Sequence, residues 1–449
     1  MKKFYLVGGA PRDYLLGLQP KDYDFVVVGA SPDDFKEWQC VGKDFPVFLE
    51  PTRGWEVALG RIERKVGAGY TGFESDWKGV TLEEDLARRD LTINSIAIEV
   101  DWEETVLQGK PVTIGTWIDP FSGIEDIKNK ILRPTTTAFK EDPIRLLRAA
   151  RFMARYGDTW SISGELLKMM DDIYYSGEMR FLVAERVFLE MQKALTEKYP
   201  SLFFKTLFRY NIFKQIDWVY GVPQREDHHP EKEDYLEKFM SVLKHTMLAL
   251  DYAAAQWNDP EINMAVCLHD TGKRVSYEDY GNTLEHEIKG VPAVKEFCEQ
   301  WKVPNTYRDL AVLVCQHHTR VHGCLGRSSN DWMRPKSIFK LMEETSALKR
   351  PERFVKILKC CEADSKGRGL ETSSNYNETQ NYFLSKSYPQ RQYLEECLQA
   401  VLALDTKAIS KEMLEKGKSG VIIGQAIREA RIGEIRKVQN MWKNKLKEK

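Results

Sequence analysis

Asp22 and Asp24 stand two residues apart where an apolar stretch begins, in Lys21-Asp22-Tyr23-Asp24-Phe25-Val26-Val27-Val28. Side chains at i and i+2 of a strand share a face, so both carboxylates can reach a pair of divalent ions about 3.5–4 Å apart. Hard ions such as Mg²⁺ take oxygen ligands, and two of them can clamp the attacking and leaving oxygens of a displacement at phosphorus. A solvated strand end is the ordinary alternative for an Asp-x-Asp, and its surroundings argue for the chemistry. Upstream, the glycine turn Gly8-Gly9-Ala10-Pro11-Arg12-Asp13 follows the apolar run Phe4 to Val7. Pro11 favours a first helical position, so the spacing predicts a helix opened by Pro11 with free N–H groups for a phosphate. Downstream lies Arg88-Arg89-Asp90-Leu91-Thr92-Ile93-Asn94. Arg89 carries charge for a triphosphate and Asp90 an acceptor for a ribose hydroxyl, although an exposed pair at a helix-to-strand junction would read the same way.

A second constellation is Glu141-Asp142-Pro143-Ile144-Arg145-Leu146-Leu147-Arg148. Asp142, Arg145 and Arg148 recur every third residue, which predicts one side of a helix whose first turn carries Pro143. A carboxylate beside a guanidinium presents an acceptor next to donors. Cytosine and adenine both offer an amino donor beside a ring acceptor, whereas uracil and guanine reverse that order. One Asp and one Arg can therefore select C and A together, unless they form only a surface ion pair. A third feature is that all eight histidines fall between His228 and His322. His245, the doublet His269-Asp270, His286, His317-His318 and His322 suit one or two transition-metal ions, which lower the pKa of a bound water for attack on phosphorus.

These residues need elements to hold them. The chain has 449 residues, 42% of them apolar, a length suited to about three domains. Short β-type runs (Phe4 to Val7, Phe25 to Val28, Val57 to Leu59, Leu91 to Val100) mixed with glycine-rich connections predict an α/β unit over 1–133. Helix-period spacing then predicts helices over Arg145 to Tyr156, Val183 to Lys198, Tyr235 to Ala255, Arg308 to Cys315, Lys336 to Thr345 and Arg353 to Ala363. The class is α+β: an N-terminal α/β head followed by helical regions at 134–223, 224–330 and 331–449. Gly67 to Phe73 reads as a mobile loop or a plain turn, and Gln224 to Asp234 and Gly323 to Pro335 read as linkers. No apolar stretch approaches the roughly 20 residues of a membrane span, and the N-terminus has no secretory pattern, so a cytoplasmic location is expected. Eight cysteines without a Cys-x-x-Cys spacing read as reduced thiols. The net charge is −1, yet it is segregated: Lys407 to Lys449 holds twelve Lys or Arg against five Glu, a surplus of +7. Such a tail is either a solvated helix or an RNA phosphate surface.

Gly-Gly-Ala-Pro-Arg-Asp, Lys-Asp-Tyr-Asp, Arg-Arg-Asp-Leu-Thr-Ile-Asn, Glu-Asp-Pro-Ile-Arg-Leu-Leu-Arg-Ala-Ala-Arg-Phe and Glu185-Arg186-Val187-Phe188-Leu189-Glu190 resemble, in order, the motifs of bacterial class II CCA-adding enzymes, the tRNA nucleotidyltransferases. The likeness runs from the first residues to about Lys437. It implies addition of CCA to tRNA from CTP and ATP, with a polymerase β-like nucleotidyltransferase head and a helical neck, body and tail. Under it Asp22 and Asp24 hold Mg²⁺, Gly9, Arg12 and Arg89 contact the nucleotide, and Asp142, Arg145 and Arg148 read the base and hold phosphate. Pro11 departs from the small aliphatic residue usual there. Arg428, Arg431, Arg436 and Lys437 would hold the tRNA backbone. The histidine-rich stretch resembles the HD phosphohydrolase domain of some relatives. That implies ligands His245, His269, Asp270, His286, His318 and Asp364, an ion such as Ni²⁺, and phosphatase and 2′,3′-cyclic phosphodiesterase activity. It departs in the extra residues Glu233 to Lys244 and in Asn282-Thr283-Leu284-Glu285, where relatives carry histidines. The expected partners are tRNA, CTP and ATP, with no membrane, in a monomer or homodimer. A poly(A) polymerase and a non-catalytic RNA-binding protein are the alternatives; the histidine cluster counts against the first and the intact acidic residues against the second.

Overall fold

The computed structural model describes residues 2–41, 46–65, 73–217, 242–326, 328, 330–367 and 383–447. The glycine-rich stretch 67–72, the polar run 224–234 and the expected helix start at Tyr235 lie outside the described residues. The chain divides into two compact units, Met1–Ala194 and Leu195–Lys449.

The first unit is organised by a sheet of seven strands: β1 (Lys3–Val7), β2 (Asp24–Val28), β3 (Gln39–Val41), β4 (Val47–Leu49), β5 (Glu56–Leu59), and, after a separate hairpin of β6 (Ile62–Lys65) with β7 (Phe73–Asp76), β8 (Ala97–Val100) and β9 (Thr113–Ile118). Their order is β3-β4-β5-β2-β1-β8-β9, with β2 parallel to β5 and the other pairs antiparallel. β2 is an unbroken apolar run because both of its faces are covered. Phe25 and Val27 pack with Leu6, Phe35, Phe48 and Val57 on one side, and Val26 packs with Tyr5, Val7 and Leu86 on the other. Each such side chain stabilises the fold by about 1.5–3 kcal/mol. The strand is therefore a fixed rod with Asp24 as its first residue.

Two local expectations change. The helix after β1 runs Gly9–Leu15 behind the cap Gly8, whose φ of 72° suits glycine, so Pro11 is its third residue. A proline is harmless there because the first turn has no intrahelical acceptor for its N–H groups. The expected strand Leu91 to Val100 is instead a 3-10 turn, Thr92–Asn94, followed by the short β8. Local side-chain bonds outcompete the ladder: Asp90 Oδ1 accepts from the Leu91 N–H at 2.9 Å and Asn94 Nδ2 at 3.0 Å, and Ser95 Oγ donates to the Leu91 carbonyl at 3.1 Å.

Helices Ile144–Tyr156, Gly164–Tyr175 and Ala184–Leu195 follow the sheet. The second unit is helical throughout its described residues, including Val242–Trp257, Pro260–Leu268, Gly272–Tyr280, His286–Gln300, Asn305–His322, Pro335–Glu344, Pro351–Lys366, Pro389–Leu402 and Val421–Lys447. Two glycines let its helices approach closely. A Cβ on Gly272 would lie 2.0 Å from the His286 carbonyl oxygen, and one on Gly367 would lie 2.6 Å from Ala249 Cβ. No helix among the described residues is long and apolar enough to cross a membrane.

Candidate active site and metal centre

Asp24 opens β2 and Asp22 precedes it by two residues, both exposed. The parallel pairing of β2 with β5 sets Glu56 level with Asp24. Glu56 is a third carboxylate that sequence spacing could not find, because its nearness comes from a crossover between strands. Although Asp24 still reaches solvent, partial loss of surrounding water and the Glu56 charge push its carboxyl above the usual range; Arg89 pulls it down, and Asp22 adds to the rise. Three like charges gathered without enough cation are what a divalent ion would relieve, and an all-oxygen donor set suits Mg²⁺.

The glycine turn closes over this corner. A Cβ on Gly8 would stand 3.4 Å from Arg89 Nη1 and 3.5 Å from Asp24 Oδ2, and one on Gly9 would stand 3.4 Å from Arg12 Nη2. Arg89 Nη2 donates to Asp85 Oδ2 at 3.1 Å, while its buried Nε has no hydrogen-bond partner. A buried N–H left unpaired costs about 1–3 kcal/mol, so this guanidinium is primed for an anion. Burial alone would raise the Asp85 pKa, but Arg88 and Arg89 hold it below the usual carboxylate range.

Arg12, expected at the nucleotide, is buried and already committed. It donates to Asn94 Oδ1 at 2.6 Å and to Asp13 Oδ1 at 2.7 and 2.9 Å, with its guanidinium 5.4 Å from the Phe152 ring centre. Asp90 is likewise buried. Besides Leu91 N and Asn94 Nδ2 it accepts from Arg148 Nε at 2.7 Å, so a ribose hydroxyl would have to share an oxygen in use. Burial opposes the Asp90 charge, but Arg148 holds the carboxyl far below its ordinary value.

Asp142, Arg145 and Arg148 do not form one helical strip, which corrects that expectation. Asp142 precedes the helix Ile144–Tyr156 with φ −119° and ψ 109°, because a residue before proline is driven out of the helical region. Arg186, from the helix Ala184–Leu195, grips it with both ends at 2.7 and 3.3 Å. Arg145 Nη1 donates to the Ala138 carbonyl at 2.9 Å. A carboxylate still lies near guanidinium groups, yet the partner of Asp142 comes from another helix. In the C-terminal region Arg428 is clamped by Glu343 at 2.8 and 3.1 Å and Lys437 pairs with Glu434 at 2.7 Å. Arg431 Nε is buried without a partner, and Arg436 is exposed.

Four described histidines of the second unit and two carboxylates converge from five helices or helix ends. His245, His269 and Asp364 bring ligand atoms within 4.8 Å of one another, and so do Asp270, His286 and His318. Each imidazole is oriented by a backbone carbonyl at Nδ1: Gly367 for His245, Val266 for His269 and Thr283 for His286, all at 2.7 Å, and Cys315 for His318 at 3.0 Å. A carbonyl can only accept, so Nδ1 carries a proton in all four rings, and Nε2 presents a lone pair wherever the ring is neutral. The Nε2 atoms meet at two carboxylates: His245 Nε2 is 3.2 Å from Asp364 Oδ1, His269 Nε2 is 3.2 Å from Asp270 Oδ2 and His286 Nε2 is 3.4 Å from Asp270 Oδ1. The Nε2 atoms of His286 and His318 face each other at 3.1 Å. Two lone pairs at that distance repel unless a cation lies between them, and the buried His245 Nε2, His269 Nε2 and Asp270 Oδ1 lack hydrogen-bond partners. The donor set fits one or two transition ions. Burial drives His318 down to about 3, whereas it is overcome at His269 by Asp270 and Asp364, which raise that ring to about 9. Lys273 Nζ caps Asp270 Oδ2 at 2.6 Å. His317, beside Arg320, stands outside both groups.

Comparison with known proteins identifies the family. The family models for the poly A polymerase head domain, the probable RNA and SrmB-binding site of polymerase A, and the HD domain match residues 4–133, 174–216 and 242–364. The multifunctional CCA protein of Hahella chejuensis is 39% identical over 443 residues, spanning 96% of this chain and 94% of the relative. That of Chromobacterium violaceum is 40% identical over 450 residues, spanning 98% and 99%. Among solved structures, the Bacillus stearothermophilus CCA-adding enzyme in complex with CTP shares the fold at 21% identity and a TM-score of 0.54, covering 98% of this chain and 89% of that one. The Thermotoga maritima CCA-adding enzyme complexed with tRNA does so at 18% and 0.52, covering 98% and 92%. With such identity along nearly its whole length, this chain belongs to the family of multifunctional CCA proteins.

Proposed function

We propose that the chain adds C, C and A to the 3′ end of tRNA, using CTP and ATP and releasing diphosphate. The observation that carries this reading is the corner where Asp22, Asp24 and Glu56 gather beside the Gly8 turn and the unpaired Nε of Arg89. Asp22 and Asp24, with Glu56 as the third carboxylate, would hold Mg²⁺, which when bound neutralises charge as a 3′ hydroxyl attacks the α-phosphorus. Arg89 takes the triphosphate charge, and the backbone of the Gly8–Gly9 turn lets the phosphates come close. Arg12, locked against Asn94 and Asp13, braces that turn. The bond from Arg148 to the buried Asp90 ties residues 90–94 to the helix Ile144–Tyr156, which would hold Asp142 and Arg145 in position for the base. The head over 1–133 carries transfer, the neck over 134–223 reads the base, and Arg431 and Arg436 are among the C-terminal groups that would meet RNA phosphate.

Supplying tRNA without its terminus and one labelled nucleotide at a time tests the reading. Incorporation of C, C and then A, with no U or G, is expected. Long A tracts would mean a poly(A) polymerase, and no incorporation a binding protein. Asp142→Ala removes the acceptor, so U and G incorporation should rise about 10-fold or more relative to C and A, the worth of about 1.5–3 kcal/mol from one lost hydrogen bond to a charged group. Unchanged base choice in a single-turnover assay would remove Asp142 from base reading.

A second activity rests on the histidine centre. We infer a phosphohydrolase of phosphate monoesters and 2′,3′-cyclic phosphates in which His245, His269, Asp270, His286, His318 and Asp364 hold one or two ions such as Ni²⁺. When bound, such an ion lowers the pKa of a water for attack on phosphorus. Lys273 and the four backbone carbonyls keep the ligands in their binding tautomers and orientations.

A further inference from the structure

His322 contacts the metal centre but has the opposite tautomer to its four ligand histidines. Its Nε2 lies 2.6 Å from Asp364 Oδ2 and its Nδ1 lies 2.8 Å from the Tyr388 hydroxyl. The carboxylate can only accept, so Nε2 carries the proton, and the hydroxyl then donates to Nδ1. His322 thus turns a proton, not a lone pair, toward the centre. It engages Oδ2 of Asp364 while Oδ1 of the same group faces His245 Nε2 at 3.2 Å. A carboxylate whose second oxygen is held by a hydrogen-bond donor cannot swing, and partners of this kind orient metal ligands.

Tyr388 lies beyond residue 364, where the HD match ends. Its stretch is tied down around the same place at four points. Gln390 Nε2 donates to the His322 carbonyl at 3.3 Å, Arg391 Nη1 to Glu362 Oε2 at 2.9 Å, Lys366 Nζ to the Leu384 carbonyl at 2.9 Å, and the same ammonium also reaches the Lys386 carbonyl. These contacts brace the C-terminal end of the helix Pro351–Lys366, on either side of Asp364, and the last turn of the helix that bears His318 and His322.

We infer that His322 and Tyr388 are positioning residues that set Asp364 for metal binding, so that residues 384–391, outside the HD match, complete the hydrolase centre. The inference rests on the metal-dependent reading given above. Equilibrium dialysis of the full-length protein against buffered Ni²⁺ tests it, scoring only the uptake that His269→Ala abolishes. Tyr388→Phe and His322→Leu should each weaken that uptake about 10- to 100-fold. His322→Gln, which keeps an N–H at the place of Nε2, should restore most of it, and a mere packing role would not distinguish Gln from Leu. The metal-free Tyr388→Phe protein should unfold near the temperature of its parent, since one oxygen is all that it lacks. Unchanged Ni²⁺ affinity in Tyr388→Phe, or equal losses in the Gln and Leu variants, would overturn the inference. If His322→Leu does not fold, Tyr388→Phe decides alone. A parent protein with no uptake above His269→Ala would instead sink the underlying metal reading, which keeps the two failures apart.

Discussion

Asp24→Asn is expected to lower nucleotide incorporation by about 10³-fold or more while leaving hydrolysis of a 2′,3′-cyclic phosphate intact. Losing about 4 kcal/mol of charge stabilisation in the transition state corresponds to that factor. The same change should make the metal-free protein more stable at neutral pH, and the sign follows from linkage. The folded state holds the Asp24 proton more tightly than the unfolded chain does. Stability therefore falls as pH climbs from the unfolded value of about 3.9 through the raised folded value. Asparagine avoids that loss, so its advantage should be present at pH 7 and vanish below about pH 3.9. Added Mg²⁺ should raise the unfolding temperature of the parent and not of the variant. Thermal unfolding at two pH values with and without Mg²⁺ reads all of this, and a variant less stable than the parent at neutral pH would show that the carboxylate cluster is not strained.

His269→Ala is expected to do the reverse, removing cyclic-phosphate hydrolysis by at least about 10²-fold while incorporation of C and A continues. His269 Nε2 lies 3.2 Å from Asp270 and 3.8 Å from Asp364, so its loss opens both ligand groups at once. Taking away this ring also leaves Asp270 and Asp364 without the partner whose charge helps hold their pKa values well down. Those carboxyls should then take up protons at a higher pH. Parallel assays on one preparation check the separation, and joint loss of both activities would mean that the two centres are not independent.

Much of this was legible before any coordinates. Asp22 and Asp24 could be picked out because an i, i+2 repeat has only one meaning in a strand, and the glycine turn needs a residue that tolerates φ near 72°, as Gly8 does. The histidine cluster stood out by its density, and His245, His269, Asp270, His286, His318 and Asp364 do meet. Local period was a poorer guide where side chains compete with the backbone. Asp90, Asn94 and Ser95 turn an apparent strand into a 3-10 turn, and Pro143 expels Asp142 from the helix that spacing assigned to it.

The chain's own order of residues determined which groups could do chemistry and which short elements would carry them, since side-chain type, strand alternation and helical period are properties of neighbours in sequence. Only the tertiary structure decided who meets whom. Glu56 joins Asp24 through a parallel strand pairing, Arg186 takes Asp142 from another helix, and Tyr388 reaches His322 across 66 residues. The proton positions on the histidines belong to the same class, because they are dictated by carbonyls and carboxylates that arrive from elsewhere in the fold. Contacts of that kind follow from packing whole elements against one another, and no local spacing encodes them.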